Sequence, residues 1–234
     1  MSTLQSSTTQ SLSRSAGSSR PQWWDHVLVI VLYGALWGAV EAFLGYGLHL
    51  LRRVVPVPGL TGFMLFPVGL LIMLAAFRAS ESRWAPLGIA AIAAATKLAS
   101  VVLPGVTPLF VVNPSLAILA EGAVVTAGVA LMAPSRGAGA FPQALTVSFA
   151  WRAAFLGLVI ALPVQKGILM KGTEALLYFL IVESVVNAVL IGGASLAGIT
   201  ARRLSAASAR LATPAVAAAV VVLAVGLQGL SALL

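Results

Sequence analysis

His26-Val-Leu-Val-Ile-Val-Leu-Tyr-Gly-Ala-Leu-Trp-Gly-Ala-Val-Glu-Ala-Phe-Leu-Gly-Tyr-Gly-Leu-His-Leu-Leu51 is the stretch that decides the fold. Apart from its two histidines it has one ionisable residue, Glu41, and it exceeds the ~20 apolar residues an α-helix needs to cross a hydrocarbon core of ~30 Å. Six further stretches of this kind follow, at 60–77, 85–103, 108–132, 142–164, 173–200 and 214–234, each bounded by charge, Pro or Gly. Hydrophobic residues make up 60% of the chain and charged residues 9%, a balance outside the range of soluble domains. The short alternating segments of a transmembrane β-barrel are absent. The prediction is an all-α integral membrane protein, a six-helix transmembrane bundle with a seventh, C-terminal transmembrane helix.

Residues 1–22, rich in Ser, Thr and Gln, read as a disordered cytoplasmic tail. Trp23 and Trp24 then mark the membrane interface. The bundle occupies 23–200, a polar cytoplasmic linker 201–213, and the added helix 214–234. That last helix has no ionisable residue and reads as an appendage to the six-helix core.

A net charge of +8 raises nucleic acid as a partner, but the basic residues are scattered between apolar stretches, so topology is their cause and no nucleic-acid partner is expected. Arg14, Arg20, Arg78, Arg83, Arg136, Arg202, Arg203 and Arg210 fall on the N-terminal side of the bundle. Arg52, Arg53, Lys166 and Lys171 fall on the other. This excess places the N-terminus in the cytoplasm. The chain has no cysteine, which excludes disulfides, thiolate metal sites and cysteine nucleophiles.

Five charges fall inside spans: Glu41, Lys97, Glu121, Arg152 and Glu183. Each costs at least ~2.5–3.5 kcal/mol at the bilayer centre, so each requires a partner, a wet cavity or a task. All five lie between the midplane and the external side, where they are placed to line one outward-facing cavity. Asn187 stands one turn after Glu183. Asn113 before Pro114 is the pairing expected of an N-cap and a first helical residue, which makes 104–113 irregular backbone. The helix N-terminus at Pro114 then offers N–H donors to an anionic group. Lys97 and Arg152 neutralise two of the three glutamates if they serve only as interhelical glue. The surplus acid is what argues for a ligand.

Gly34, Gly38 and Ala42, flanked by Ala35 and Ala39, form a stripe along the first helix. It serves either packing within the bundle or docking of another membrane subunit. His26 and His49 sit ~35 Å apart on one helix at 1.5 Å per residue, so they cannot hold one haem. His49 alone is a candidate to join carboxylates at a metal site. No lysine occurs in the seventh span for a retinal Schiff base, and no serine triad, metalloprotease motif, P-loop or dinucleotide fingerprint is present. No cofactor is therefore expected, and no enzymatic activity.

Three stretches, Ala35-Leu-Trp-Gly-Ala-Val-Glu41 with Gly45 and His49, Thr96-Lys97, and Asn113-Pro-Ser-Leu-Ala-Ile-Leu-Ala-Glu121, resemble bacterial membrane proteins similar to the substrate-binding S components of energy-coupling factor transporters. The resemblance spans about residues 30–200. It implies a six-helix capture subunit for a vitamin or transition-metal ion in the bacterial cytoplasmic membrane, working with a membrane coupling subunit and cytoplasmic ATPases. It also implies that the AxxxA-type pattern Ala35-Leu-Trp-Gly-Ala39 contacts the coupling subunit. The expected site is Glu41, Lys97, Asn113, Glu121, Arg152, Glu183 and Asn187, capturing a small solute from the external side. The alternative is a structural or assembly subunit of a larger membrane complex, with the buried ion pairs fixing helix register.

Overall fold

The computed structural model describes residues 22–54, 60–102, 108–132, 139–162, 164, 166–199, 201–208 and 213–233. Six helices in it are long and apolar enough to cross a membrane. They are α1 (Gln22–Val54), α2 (Leu60–Ser80), α3 (Ala85–Ala99, extended by a 3-10 turn Ser100–Val102), α4 (Pro108–Leu131), α5 (Ala140–Ala161) and α6 (Thr173–Leu196). A short helix α7 (Ala201–Ser208) and a shorter C-terminal apolar helix, α8 (Pro214–Leu233), complete the bundle. No strand occurs among the described residues. The expected tail lies outside them except for Gln22, which opens α1.

α1 is the central helix, surrounded by α2, α3 and α8. Lipid tails are as apolar as leucine, so helices associate through close van der Waals packing, which small residues permit. The α1 stripe does this: a Cβ on Gly34 would meet Ile92 Cβ of α3 at 2.7 Å, and one on Gly38 would collide with Thr96 Oγ1. On the next face of α1 the Trp37 ring fills the space above Gly69 of α2, where an added Cβ would stand 2.5 Å from it. α3 reads Ala-Ala-Ile-Ala-Ala-Ala over 90–95, and its other side receives α4, whose Gly122 seats against Ala90. Gly34, Ala35, Gly38, Ala39 and Ala42 are all buried. The stripe is a packing surface inside this chain, and docking of another subunit there would first require α3 or α8 to move away.

Three further expectations change. Asn113 does not cap a helix, because α4 starts at Pro108 and runs through Pro114. Pro108 is the better start, since a first-turn proline has no intrahelical bond to lose. The missing N–H at Pro114 falls early in the helix, where its cost is one bond. Of 201–213, the stretch expected as a linker, eight residues form α7, held against the C-terminal end of α2 with Ala201 buried. Finally, α8 is no appendage: its most extensive contacts are with α1, and it also touches α3.

Tight glycine contacts carry a direct stability consequence. Gly38→Val should lower stability by roughly 1–3 kcal/mol through overpacking against Thr96. Gly193→Ala in α6, where a Cβ meets nothing within 4 Å, should be neutral or stabilising by up to ~1 kcal/mol. Thermal unfolding of the purified variants in detergent compares the two.

Candidate functional site

The intramembrane charges do not form one hydrogen-bonded group among the described residues. They gather into two clusters, with Glu121 separate. In the first, Lys97 Nζ of α3 donates to both carboxylate oxygens of Glu41 on α1, at 2.9 Å to Oε2 and 3.2 Å to Oε1. Gln228 of α8 completes it: its Nε2 donates to Glu41 Oε2 at 3.1 Å and lies 3.4 Å from the Gly38 carbonyl oxygen. Sequence reasoning missed Gln228 because it set the last span aside as an uncharged appendage. A single buried amide in an otherwise apolar span was the available signal, since such a group seeks a polar partner across the helix interface. Glycine at position 38 serves twice here, for it lets α3 close in and leaves its carbonyl accessible to α8.

The second cluster is built on Arg152, which is fully buried on α5. Its Nη1 donates to the Ser148 carbonyl one turn back at 3.0 Å, and its Nη2 lies 3.5 Å from Glu183 Oε2 of α6. Asn187, one turn further along α6, turns its amide oxygen to accept from Arg152 Nη2 at 3.0 Å and its nitrogen to donate to the Phe63 carbonyl of α2 at 3.2 Å. That carbonyl is available for a physical reason. Pro67 stands four residues after Phe63 inside α2 and has no N–H to close the intrahelical bond. Gly62 in the same turn makes room, because a Cβ there would stand 3.3 Å from Glu183 Oε2. The guanidinium also lies 4.5 Å from the Trp151 ring centroid and 5.5 Å from that of Phe179, so its faces are covered by aromatic rings.

α6 reaches this cluster through a π-helical turn, Tyr178–Val182, in which the Glu183 N–H bonds back five residues to the Tyr178 carbonyl. One extra residue in a turn offsets the helix faces on either side by roughly 100°. Ser184 Oγ donates to the Leu180 carbonyl at 2.6 Å within this widened turn. The register after the turn places Glu183, Ser184, Asn187 and Ala188 together on the buried side.

Glu121 of α4 is 7% exposed, and its Oε2 has no hydrogen-bond partner among the described residues. Arg152 and Glu41, one charge from each cluster, act on it electrostatically without bonding to it. Asn113 stands two helical turns before Glu121 on α4 and is half-buried. The side chain of His49 lies outside the described residues. Among the described residues no three of His, Asp and Glu gather as a ligand set for a metal ion. Comparison with protein-family models, with curated proteins and with solved structures finds no match to this chain.

The first cluster is open to a double-variant test. Lys97→Met leaves Glu41 with Gln228 alone and should cost roughly 1–3 kcal/mol, less than the ~3–5 kcal/mol of a fully enclosed pair because Lys97 is partly exposed. Adding Glu41→Gln to it should recover most of the loss, and Gln228→Leu alone should cost ~1 kcal/mol. Denaturation of the reconstituted protein by increasing sodium dodecyl sulfate measures all three. A stability for Lys97→Met equal to that of the unaltered chain would remove the pair as a structural tie.

Proposed function

We propose that this membrane protein is a transport subunit that captures a small solute, a vitamin-like molecule or a metal ion, with Glu121 as the group that meets it. The observation behind this reading is the surplus acid. Two of the three intramembrane glutamates are neutralised by cations of this chain, and Glu121 is not. A carboxylate at that depth is costly unless a proton, a bound cation or a hydrogen-bonding ligand meets it. Glu121 stands outside both hydrogen-bonded clusters with Oε2 unpartnered among the described residues, and that setting suits a binding group, since the charges of the clusters already have partners.

In this reading the N-terminus is cytoplasmic, in a bacterial inner membrane, and the solute enters from the external side. With no nucleotide-binding motif in this chain, ATP-driven uptake would require a membrane coupling subunit and cytoplasmic ATPases as partners. The chain itself would be a binding subunit and not an enzyme. The closed pairs Glu41–Lys97 and Arg152–Glu183 favour a second reading, a structural or assembly subunit of a larger complex whose ion pairs fix helix register.

Purified protein screened by thermal shift against vitamins and divalent cations separates the two. Capture predicts a ligand-dependent rise in the unfolding temperature that Glu121→Gln abolishes while leaving the ligand-free value close to that of the unaltered chain. A shift indifferent to Glu121→Gln would count against Glu121 as the binding group. No shift with any solute, together with stoichiometric recovery of the chain in a larger membrane complex, would establish the structural reading.

A further inference from the structure

The described residues enclose a cavity of about 650 Å³ at the end of the bundle that carries the α1 N-terminus. None of Glu41, Lys97, Asn113, Glu121, Arg152, Glu183 and Asn187 lines it. Its walls are mainly apolar, built from Leu74 and Phe77 of α2, Val129 and Met132 near the end of α4, and Ile191 of α6, with Gln143 of α5 and Ser195 of α6 among them. Its mouth carries Arg78 at the end of α2 and Arg202 and Arg203 on α7. All three arginines are exposed, no acidic residue lines the cavity, and none of the three forms an ion pair among the described residues.

Arg202 and Arg203 reach the mouth because of a turn. α6 ends in a Schellman arrangement, with the Ile199 N–H bonded to the Ala194 carbonyl and the Gly198 N–H to that of Ser195. Gly198 holds φ +75°, a conformation that favours glycine. The turn folds α7 back against α2, and the Arg203 guanidinium comes to rest over Gly198, about 3.5 Å from where a Cβ would stand.

We propose that this cavity binds an anionic phospholipid of the adjoining leaflet, with one acyl chain inside and its phosphate held by Arg78, Arg202 and Arg203. The volume is that of a small-molecule site, ~300–1,000 Å³. A mainly apolar interior with a cationic rim at a membrane surface matches a ligand with an apolar tail and an anionic head. Basic pockets between transmembrane helices recognise such headgroups through charge, and three guanidiniums on a rim that no acidic residue lines supply it. A soluble anion would satisfy the arginines and leave the apolar interior unexplained.

The full chain, purified in neutral detergent, is titrated with phosphatidylglycerol and with phosphatidylcholine of the same acyl chains, and bound lipid is counted by native mass spectrometry. Phosphatidylglycerol is expected to bind about tenfold more tightly. Arg202→Gln with Arg203→Gln, on an exposed helix, should erase that preference without lowering the unfolding temperature. Ala206→Trp, an exposed position at the cavity wall, should weaken both lipids. Glu121→Gln should leave lipid binding unchanged, which keeps this site independent of solute capture. Equal binding of the two lipids, a preference that survives the arginine substitutions, or no effect of Ala206→Trp would each overturn the proposal. So would inorganic phosphate displacing phosphatidylglycerol at equal concentration, since the ligand would then be a soluble anion.

Discussion

A carboxylate in a membrane-spanning helix is costly without a counter-charge, and Glu41 finds one by drawing three helices together. Lys97 comes from α3 and Gln228 from α8, and both reach Glu41 on the central helix. The contact depends on glycine. At position 38 α1 lacks the side chain that would hold Thr96 away, as at Gly34 it lacks one against Ile92, and the gap at 38 exposes the carbonyl that Gln228 approaches. Packing and electrostatics are thus one constraint here, because the pair closes only where the backbones touch. The arrangement also explains why α8 belongs to the core although it carries no charge of its own.

A similar economy operates on the far side of α2. A proline in a helix usually costs a hydrogen bond, and at Pro67 the freed Phe63 carbonyl becomes the acceptor that orients Asn187. Asn187 then supports Arg152 next to Glu183, and the π-helical turn of α6 sets the phase that brings both side chains to one face. The carbonyl freed on α2 is met by a side chain of α6, and the widened turn of α6 by its own Ser184. Polar backbone at membrane depth is tolerated on that condition.

The two polar clusters tie α1 to α3 and α8, and α5 to α6 and α2, so Glu41, Lys97, Arg152 and Glu183 have partners and Glu121 stands outside both clusters. The apolar cavity with its arginine rim is separate, at the end where α2, α4 and α6 finish and α7 folds back. Recognition of a solute and recognition of a lipid would then draw on different parts of one bundle. The first would rest on a lone buried carboxylate and the second on exposed guanidiniums.

The sequence by itself determined the solvent and the number of helices, because crossing a hydrocarbon core requires length and apolarity, and both are local properties of 26–51 and its six counterparts. It also singled out Glu41, Lys97, Glu121, Arg152 and Glu183, since a charge in such a stretch is conspicuous without any knowledge of its neighbours. The tertiary structure decided which acid meets which cation, because pairing depends on helix phase and crossing, and neither is written in spacing along the chain. It placed Gln228 on Glu41, 187 residues away in sequence. It also turned Gly34 and Gly38 inward against α3, where the sequence left both packing and docking open. The irregular turns were the least legible. Pro114 resembles a helix start by its local chemistry, yet the helix begins at Pro108, because one lost bond near an end is a smaller penalty than a buried stretch of unpaired backbone.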